Sequence, residues 1–211
     1  MSEKFIAIEG PIGVGKTTLA RRIAEATGAS LVRDPEEQNP FLEDFYKQSG
    51  AFAFQTQLDF LVRRIDTLGE LALQRETQPV ICDFLIDKDP LFASLTLDDN
   101  EFWLYQRVHD KLTEGLPEGP DLVIYLQADT PTLLGRIHHR GLQFEQSMAS
   151  GYLQRLADAY STFFYNYTAS PLLIVNADEI NFAENNRDFE NLLAQIGQIT
   201  AGRHFLNPLP A

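Results

Sequence analysis

Cysteine is nearly absent from this chain of 211 residues, occurring once, at Cys82. A single thiol permits neither an intramolecular disulfide nor a thiolate-held metal cluster, which leaves Cys82 as a small buried apolar residue. Basic residues are scarce as well: 17 Lys and Arg stand against 30 Asp and Glu, a formal charge of −13. A surface that negative repels the phosphate backbone of DNA or RNA, so nucleic acid is not expected as a partner. No apolar run approaches the ~18–20 residues of a membrane span, and the first residues lack the apolar core of a signal peptide. No membrane association and a cytoplasmic location are therefore expected. Internal repeats and low-complexity linkers are also missing, which points to one domain over residues 1–211.

Apolar residues make up 44% of the chain, with 15 Phe and 7 Tyr, enough for a sizeable core and an aromatic pocket wall. Five short runs read as strands: Phe5 to Ile8, Ser30 to Val32, Val80 to Cys82, Leu122 to Leu126 and Leu172 to Val175. Most are continuously apolar rather than alternating, the mark of strands buried on both faces of a parallel sheet. Helical patterns fall between them. Thr18 to Thr27 stops at Gly28, and a segment from Thr130-Pro131, read as an N-cap and first-turn proline, stops at Gly141. Phe54, Leu58, Leu61, Ile65, Leu68 and Leu71 form an apolar stripe at helical spacing over about Phe52 to Arg75. Further helices are expected over about Asn100 to Thr113 and Ser147 to Tyr167. The alternation predicts an α/β fold, a five-stranded parallel sheet flanked by helices on both faces, with ligands at the carboxyl ends of its strands.

Gly10-Pro-Ile-Gly13-Val-Gly15-Lys16-Thr17 matches G-x-x-x-x-G-K-[ST], directly after the first strand and before a helix. The glycines let the N–H groups of Gly13, Val14 and Gly15 turn inward, and the helix N-terminus around Lys16, Thr17 and Thr18 adds its positive end. Lys16 then bridges the β- and γ-phosphates of ATP, and the Thr17 hydroxyl ligates Mg²⁺. Asp83, closing the strand Val80 to Cys82, is the expected second Mg²⁺ partner. A guanine-reading N-K-x-D is missing, since Asn176-Ala-Asp-Glu179 lacks the lysine, which disfavours a switch GTPase. Arg136 and Arg140, four apart on one helix face, form a candidate arginine lid over about residues 136–147. Such a lid neutralises charge on a phosphoryl group in transit.

With these residues in view, the chain resembles the deoxynucleoside kinases, and among them the bacterial deoxyadenosine and deoxyguanosine kinases. The likeness runs from about Phe5 to Val175. It rests on the P-loop opened by Glu9, on "DPEEQNPFLEDFY", on "FAFQTQLDFLVRRI", and on the lid "RIHHRG" followed by "GYLQRL". The resemblance implies a P-loop nucleoside kinase fold and transfer of the γ-phosphate of ATP to the 5′-hydroxyl of a deoxynucleoside, a step of nucleotide salvage. A primary hydroxyl needs a carboxylate to take its proton. By resemblance that group is Asp34, with Glu36 or Glu37 as alternatives in the same loop. Tyr46 and Glu145 match the pair that recognises the sugar 3′-hydroxyl. Gln57 and Arg64, two helical turns apart, match the base-reading face, where an amide offers donor and acceptor side by side. Arg64 with Asp87 or Asp89 resembles members that accept purines or cytosine, and Phe41, Phe54 and Phe84 are candidate stacking rings. Homodimers that pair through long helices are usual in the family.

One departure stands out. The family commonly has an arginine directly after the acidic residue of the third strand, where this chain reads Asp83-Phe84-Leu85. Lys88, five residues beyond Asp83, is the candidate substitute, and "RGL" replaces the lid's "RGR". Two other readings remain open at this point: a thymidylate-kinase-like nucleoside monophosphate kinase, for which Arg63 or Arg64 would grip the acceptor's phosphate, and a nucleotide-binding regulatory subunit with impaired catalysis.

Overall fold

The structure, a computed structural model, describes residues 5–47, 52–141 and 150–207, the side chain of Glu37 excepted. A parallel sheet forms its centre. Its strands are β1 (Phe5–Glu9), β2 (Ser30–Val32), β3 (Val80–Cys82), β4 (Leu122–Gln127), β5 (Leu172–Asn176) and β6 (Arg203–Leu206), in the order β2-β3-β1-β4-β5-β6. The continuous apolar runs behave as expected for strands covered on both sides. Ile6 and Ile8 of β1 face one core and Phe5 and Ala7 the other, and the same alternation continues through β4 and β5.

Helix α1 (Lys16–Thr27) packs Leu19, Ala20 and Ile23 into the first core, together with Phe189, Leu192 and Ile196 of α8 (Asn186–Ile196). The opposite core is closed by Leu68 and Leu71 of α3 (Ala53–Arg75) and by Leu156, Tyr160 and Phe164 of α7 (Ser150–Asn166). Helix α2 (Leu42–Lys47) precedes α3, α4 (Asp89–Thr96) and α5 (Asp99–Thr113) lie between β3 and β4, and α6 (Thr130–Arg140) follows β4. Both β2 and β3 lie on one side of β1 while β4 to β6 lie on the other, so the order in which the parallel strands are added reverses beside β1. That reversal opens a crevice at the carboxyl ends of β1, β3 and β4.

Two expectations are corrected. The sheet has six strands rather than five. Strand β6, Arg-His-Phe-Leu, has three exposed residues and no apolar pattern, because an edge strand needs a partner on one side only; its pairing with β5 is carried by main chain. The cap of α6 is Asp129, whose carboxylate accepts from Thr132 N at 2.8 Å, rather than Thr130, which is the first helical residue.

Candidate active site

The crevice is a cavity of about 840 Å³, within the ~300–1,000 Å³ usual for a small-molecule site. One end is the loop between β1 and α1. Gly13 and Gly15 sit at φ 83° and 107°, a left-handed backbone that side-chain-bearing residues avoid, and the Val14 N–H donates back to the Pro11 carbonyl at 3.3 Å. An added Cβ at Gly13 would lie 2.8 Å from Ile137 Cγ1 and 2.9 Å from the Leu133 carbonyl. The loop is therefore packed directly on α6. Val14 is buried there, and Thr18 lines the cavity one residue beyond Thr17.

Lys16 reaches back along this loop, donating to the carbonyls of Gly10 at 2.8 Å and Pro11 at 3.3 Å. Burial lowers its pKa, and the nearby ammonium of Lys88 adds to this. An anion arriving here meets a partly desolvated cation and a row of N–H groups. The Thr17 hydroxyl donates to Asp83 Oδ2 at 2.6 Å, so the end of β3 and the start of α1 bring one hydroxyl and one carboxylate to the same point. Among the described residues no group of three or more His, Cys, Asp or Glu could hold a metal ion. A hard hydroxyl and a single carboxylate fit Mg²⁺, which keeps most of its shell for water and phosphate oxygens.

Arg136 and Arg140 both line the cavity. Arg136 donates to the carbonyls of Val14 at 3.1 Å and Ala177 at 2.7 Å, bracing the loop against the end of β5. The far half of the proposed lid, with Glu145, lies outside the described residues. A wall that sequence reasoning missed follows β5: Asp178, Asn181 and Phe182 line the cavity beside the loop, with Phe182 and Ala183 held by Arg22 through their carbonyls. Its only signal was the polar composition of the segment before α8.

The other end of the cavity is a chain of buried charges. Strands β2 and β3 are neighbours, so the residues after them meet: Asp34 N donates to Asp83 Oδ1 at 2.5 Å. Arg64 of α3 grips Asp34 with two parallel bonds, from Nε at 3.0 Å and Nη2 at 2.8 Å, and reaches Asp89 Oδ1 with Nη1 at 2.6 Å. Lys88 meets Asp34 Oδ2 at 3.1 Å and Glu9 Oε2 at 3.2 Å. Glu9 also accepts from the Gly10 and Leu85 amides and from the Tyr160 hydroxyl, all at 2.8–2.9 Å. Burial would raise the pKa of Asp34, but Arg64 and Lys88 outweigh it and hold the carboxyl well below the usual range. At Asp89 burial wins over Arg64 and lifts the pKa to about 6. Glu36 is raised first by burial and then by the charge of Asp34, and its carboxylate makes no hydrogen bond or ion pair among the described residues, only its main-chain carbonyl accepting from Asn39 N at 3.2 Å.

Gln57 and Arg64 share the buried face of α3 and both line the cavity, as does Tyr46 of α2. Asn39 fixes this corner: its side chain donates to Thr56 O at 3.0 Å and accepts from Phe41 N at 3.0 Å, tying the segment before α2 onto α3. Arg63 turns away, pairing with Asp59 at 2.6 Å. The aromatic walls differ from expectation. Phe45, Phe60 and Phe92 line the cavity, whereas Phe41 stacks on Phe52, Phe54 packs between α3 and its neighbours, and Phe84 is core.

Residues 6–201 match the family model described as deoxynucleoside kinase. The chain belongs to the deoxynucleoside kinase family. It is 36% identical to the deoxyguanosine kinase of Bacillus subtilis strain 168, covering 92% of this chain and 97% of the relative. It is 30% identical to the deoxyadenosine kinase of Lactobacillus acidophilus, covering 92% and 95%. Among solved structures it is similar to the deoxyadenosine kinase of M. mycoides with the products dCMP and dCDP bound, at a TM-score of 0.80 and 25% identity over 92% of this chain and all of the other. As a deoxynucleoside kinase it is a phosphotransferase, and no helix among the described residues is long and apolar enough to cross a membrane.

Proposed function

We propose that this deoxynucleoside kinase transfers the γ-phosphate of ATP, as its Mg²⁺ complex, to the 5′-hydroxyl of a purine deoxynucleoside. The observation that carries the reading is the charge at the acceptor end. Arg64 and Lys88 are already matched there by Asp34, Asp89 and Glu9, and Arg63 points elsewhere. Among the described residues no buried cation is left over for an acceptor's own phosphate, while a neutral sugar is well suited to Tyr46 and a carboxylate. This favours a nucleoside acceptor over a thymidylate-type monophosphate. The kinase relatives weigh against an impaired regulatory subunit.

Gly13, Val14, Gly15 and Lys16 would hold the phosphates of ATP, and Thr17 and Asp83 would hold Mg²⁺, which would supply charge neutralisation there. Arg136 and Arg140 face the phosphates from α6. At the acceptor end Gln57 and Arg64 read the base, Tyr46 and Glu145 hold the 3′-hydroxyl, and Asp34 or Glu36 takes the proton of the 5′-hydroxyl as it attacks. Relatives named for deoxyguanosine and deoxyadenosine support the purine preference. Exposed Trp103 and Leu104 on α5 and Val62 on α3 support pairing of two copies through these helices. The test is a panel of four deoxynucleosides and their monophosphates with Mg-ATP. Deoxyguanosine or deoxyadenosine should be the best acceptor, and turnover confined to monophosphates would refute the reading.

A further inference from the structure

Lys88 stands in the short turn Ile86–Lys88 that leads into α4, with 1% of its surface exposed. An ammonium this deep is costly to desolvate unless carboxylates surround it. It has two, Asp34 Oδ2 at 3.1 Å and Glu9 Oε2 at 3.2 Å. Burial pulls its pKa down, but these two carboxylates outweigh burial and hold it above its usual value, so it remains charged. An ammonium carries three donors. Two directions are taken by carboxylates, the Phe92 ring centroid lies 5.8 Å from Nζ, no third oxygen or nitrogen acceptor meets it among the described residues, and its side chain lines the cavity. Lys16 lines the same cavity from the loop before α1, while Lys88 stands beside Asp34 at the other end. Between them is where a phosphoryl group must pass.

Resting on the kinase reading above, we propose that Lys88 is a catalytic residue whose third N–H donates to the acceptor 5′-oxygen and the phosphoryl group in transit, while its other contacts fix Asp34. In the step itself the 5′-oxygen forms a bond to the γ-phosphorus and the bond from that phosphorus to the β,γ-bridging oxygen breaks. The hydroxyl proton passes to the loop carboxylate, ADP leaves with the bond's electron pair, and Lys88 keeps its proton throughout. A fixed cation beside developing charge acts without reorganisation at the moment of reaction. The same position explains how the site works with Phe84 after Asp83: the cation comes from the turn before α4 instead of from the end of β3.

Single-turnover phosphorylation of deoxyguanosine and deoxyadenosine is the test, with nucleoside and ATP affinities measured separately. Lys88→Gln should slow the chemical step on the order of 10²–10³-fold, as loss of one transition-state donor does, with both affinities within roughly threefold of the parent. Lys88→Arg, which keeps the charge, should recover at least tenfold of that loss. Because Lys88→Gln leaves Glu9 buried without its counter-ion, Glu9→Gln/Lys88→Gln removes the pair together and should show the same slow step if the single variant does not fold. A chemical step within threefold of the parent, or a loss matched by weaker nucleoside binding, overturns the assignment. Absence of any deoxynucleoside phosphorylation by the parent protein would instead overturn the kinase reading on which it rests.

Discussion

Arg64→Leu removes the one guanidinium that serves two buried carboxylates. Asp34 would keep Lys88 at 3.1 Å, but Asp89 would lose its only ion-pair partner among the described residues, and its Oδ2 already has no hydrogen bond. Breaking a buried pair by removing one partner costs about 3–5 kcal/mol, because a desolvated charge is left behind. For a chain of this size each kcal/mol shifts the thermal midpoint by ~2–4 °C, so a fall of roughly 6–20 °C is expected at pH 7.5. The pH dependence gives a second reading. Asp89 titrates at about 6 in the folded protein, above its unfolded value of ~3.9, so its contribution is full below that unfolded value and is lost as pH rises through about 6. Without Arg64 that folded pKa rises further, and the deficit of the variant should be smaller at pH 5 than at pH 7.5. Adding Asp89→Asn should restore part of the loss at pH 7.5. Thermal unfolding followed by circular dichroism at the two pH values reads all three quantities. A deficit under about 1 kcal/mol at pH 7.5, or one that does not shrink at pH 5, would refute the view of this cluster as a desolvated charge network.

Lys16→Ala should abolish phosphoryl transfer while leaving the thermal midpoint nearly unchanged, since among the described residues its ammonium bonds only to the Gly10 and Pro11 carbonyls; a radiometric transfer assay beside a melting curve checks it. Gln57→Ala should relax base choice, lowering the ratio of kcat/KM between the best and worst deoxynucleoside by roughly 5–150-fold, equivalent to ~1–3 kcal/mol for a bidentate base contact. Unchanged selectivity would remove Gln57 from the base subsite. Gly13→Ala should weaken ATP binding and lower stability by about 1–3 kcal/mol, because its φ of 83° disfavours a side chain and the new methyl meets the Leu133 carbonyl at 2.9 Å; calorimetric ATP titration and chemical denaturation read the two effects.

The loop between β1 and α1 was legible because main-chain geometry is written in glycine spacing. Gly10 to Thr17 and Asp83 lie where the motif and the strand ends put them. All five expected strands are present for a similar reason: burial on both faces leaves an unbroken apolar run. The edge strand β6 escaped because it has only one neighbour. On the acceptor side the sequence named Asp34, Gln57 and Arg64 but not how they are joined. The ion pair of Arg64 with Asp89 spans 25 positions and that of Lys88 with Glu9 spans 79, and no local pattern encodes such pairings. The sequence shows Glu9 only as the residue that opens the P-loop. It is the buried acceptor that joins the P-loop, Tyr160 and Lys88. Phe84 is core, and the buried ammonium beside Asp34 comes from Lys88, five residues beyond Asp83, a placement that local spacing alone does not give.

The account stands or falls on where the γ-phosphate goes. Phosphorus NMR of a reaction of Mg-ATP with deoxyguanosine and deoxyadenosine answers this directly, since a phosphomonoester on a primary carbon couples to two protons and one on the 3′-carbon couples to a single proton. The account predicts ADP together with a purine deoxynucleoside 5′-monophosphate, and no such product from Lys16→Ala. A nucleoside diphosphate formed from added monophosphate, with the nucleosides left intact, would contradict it.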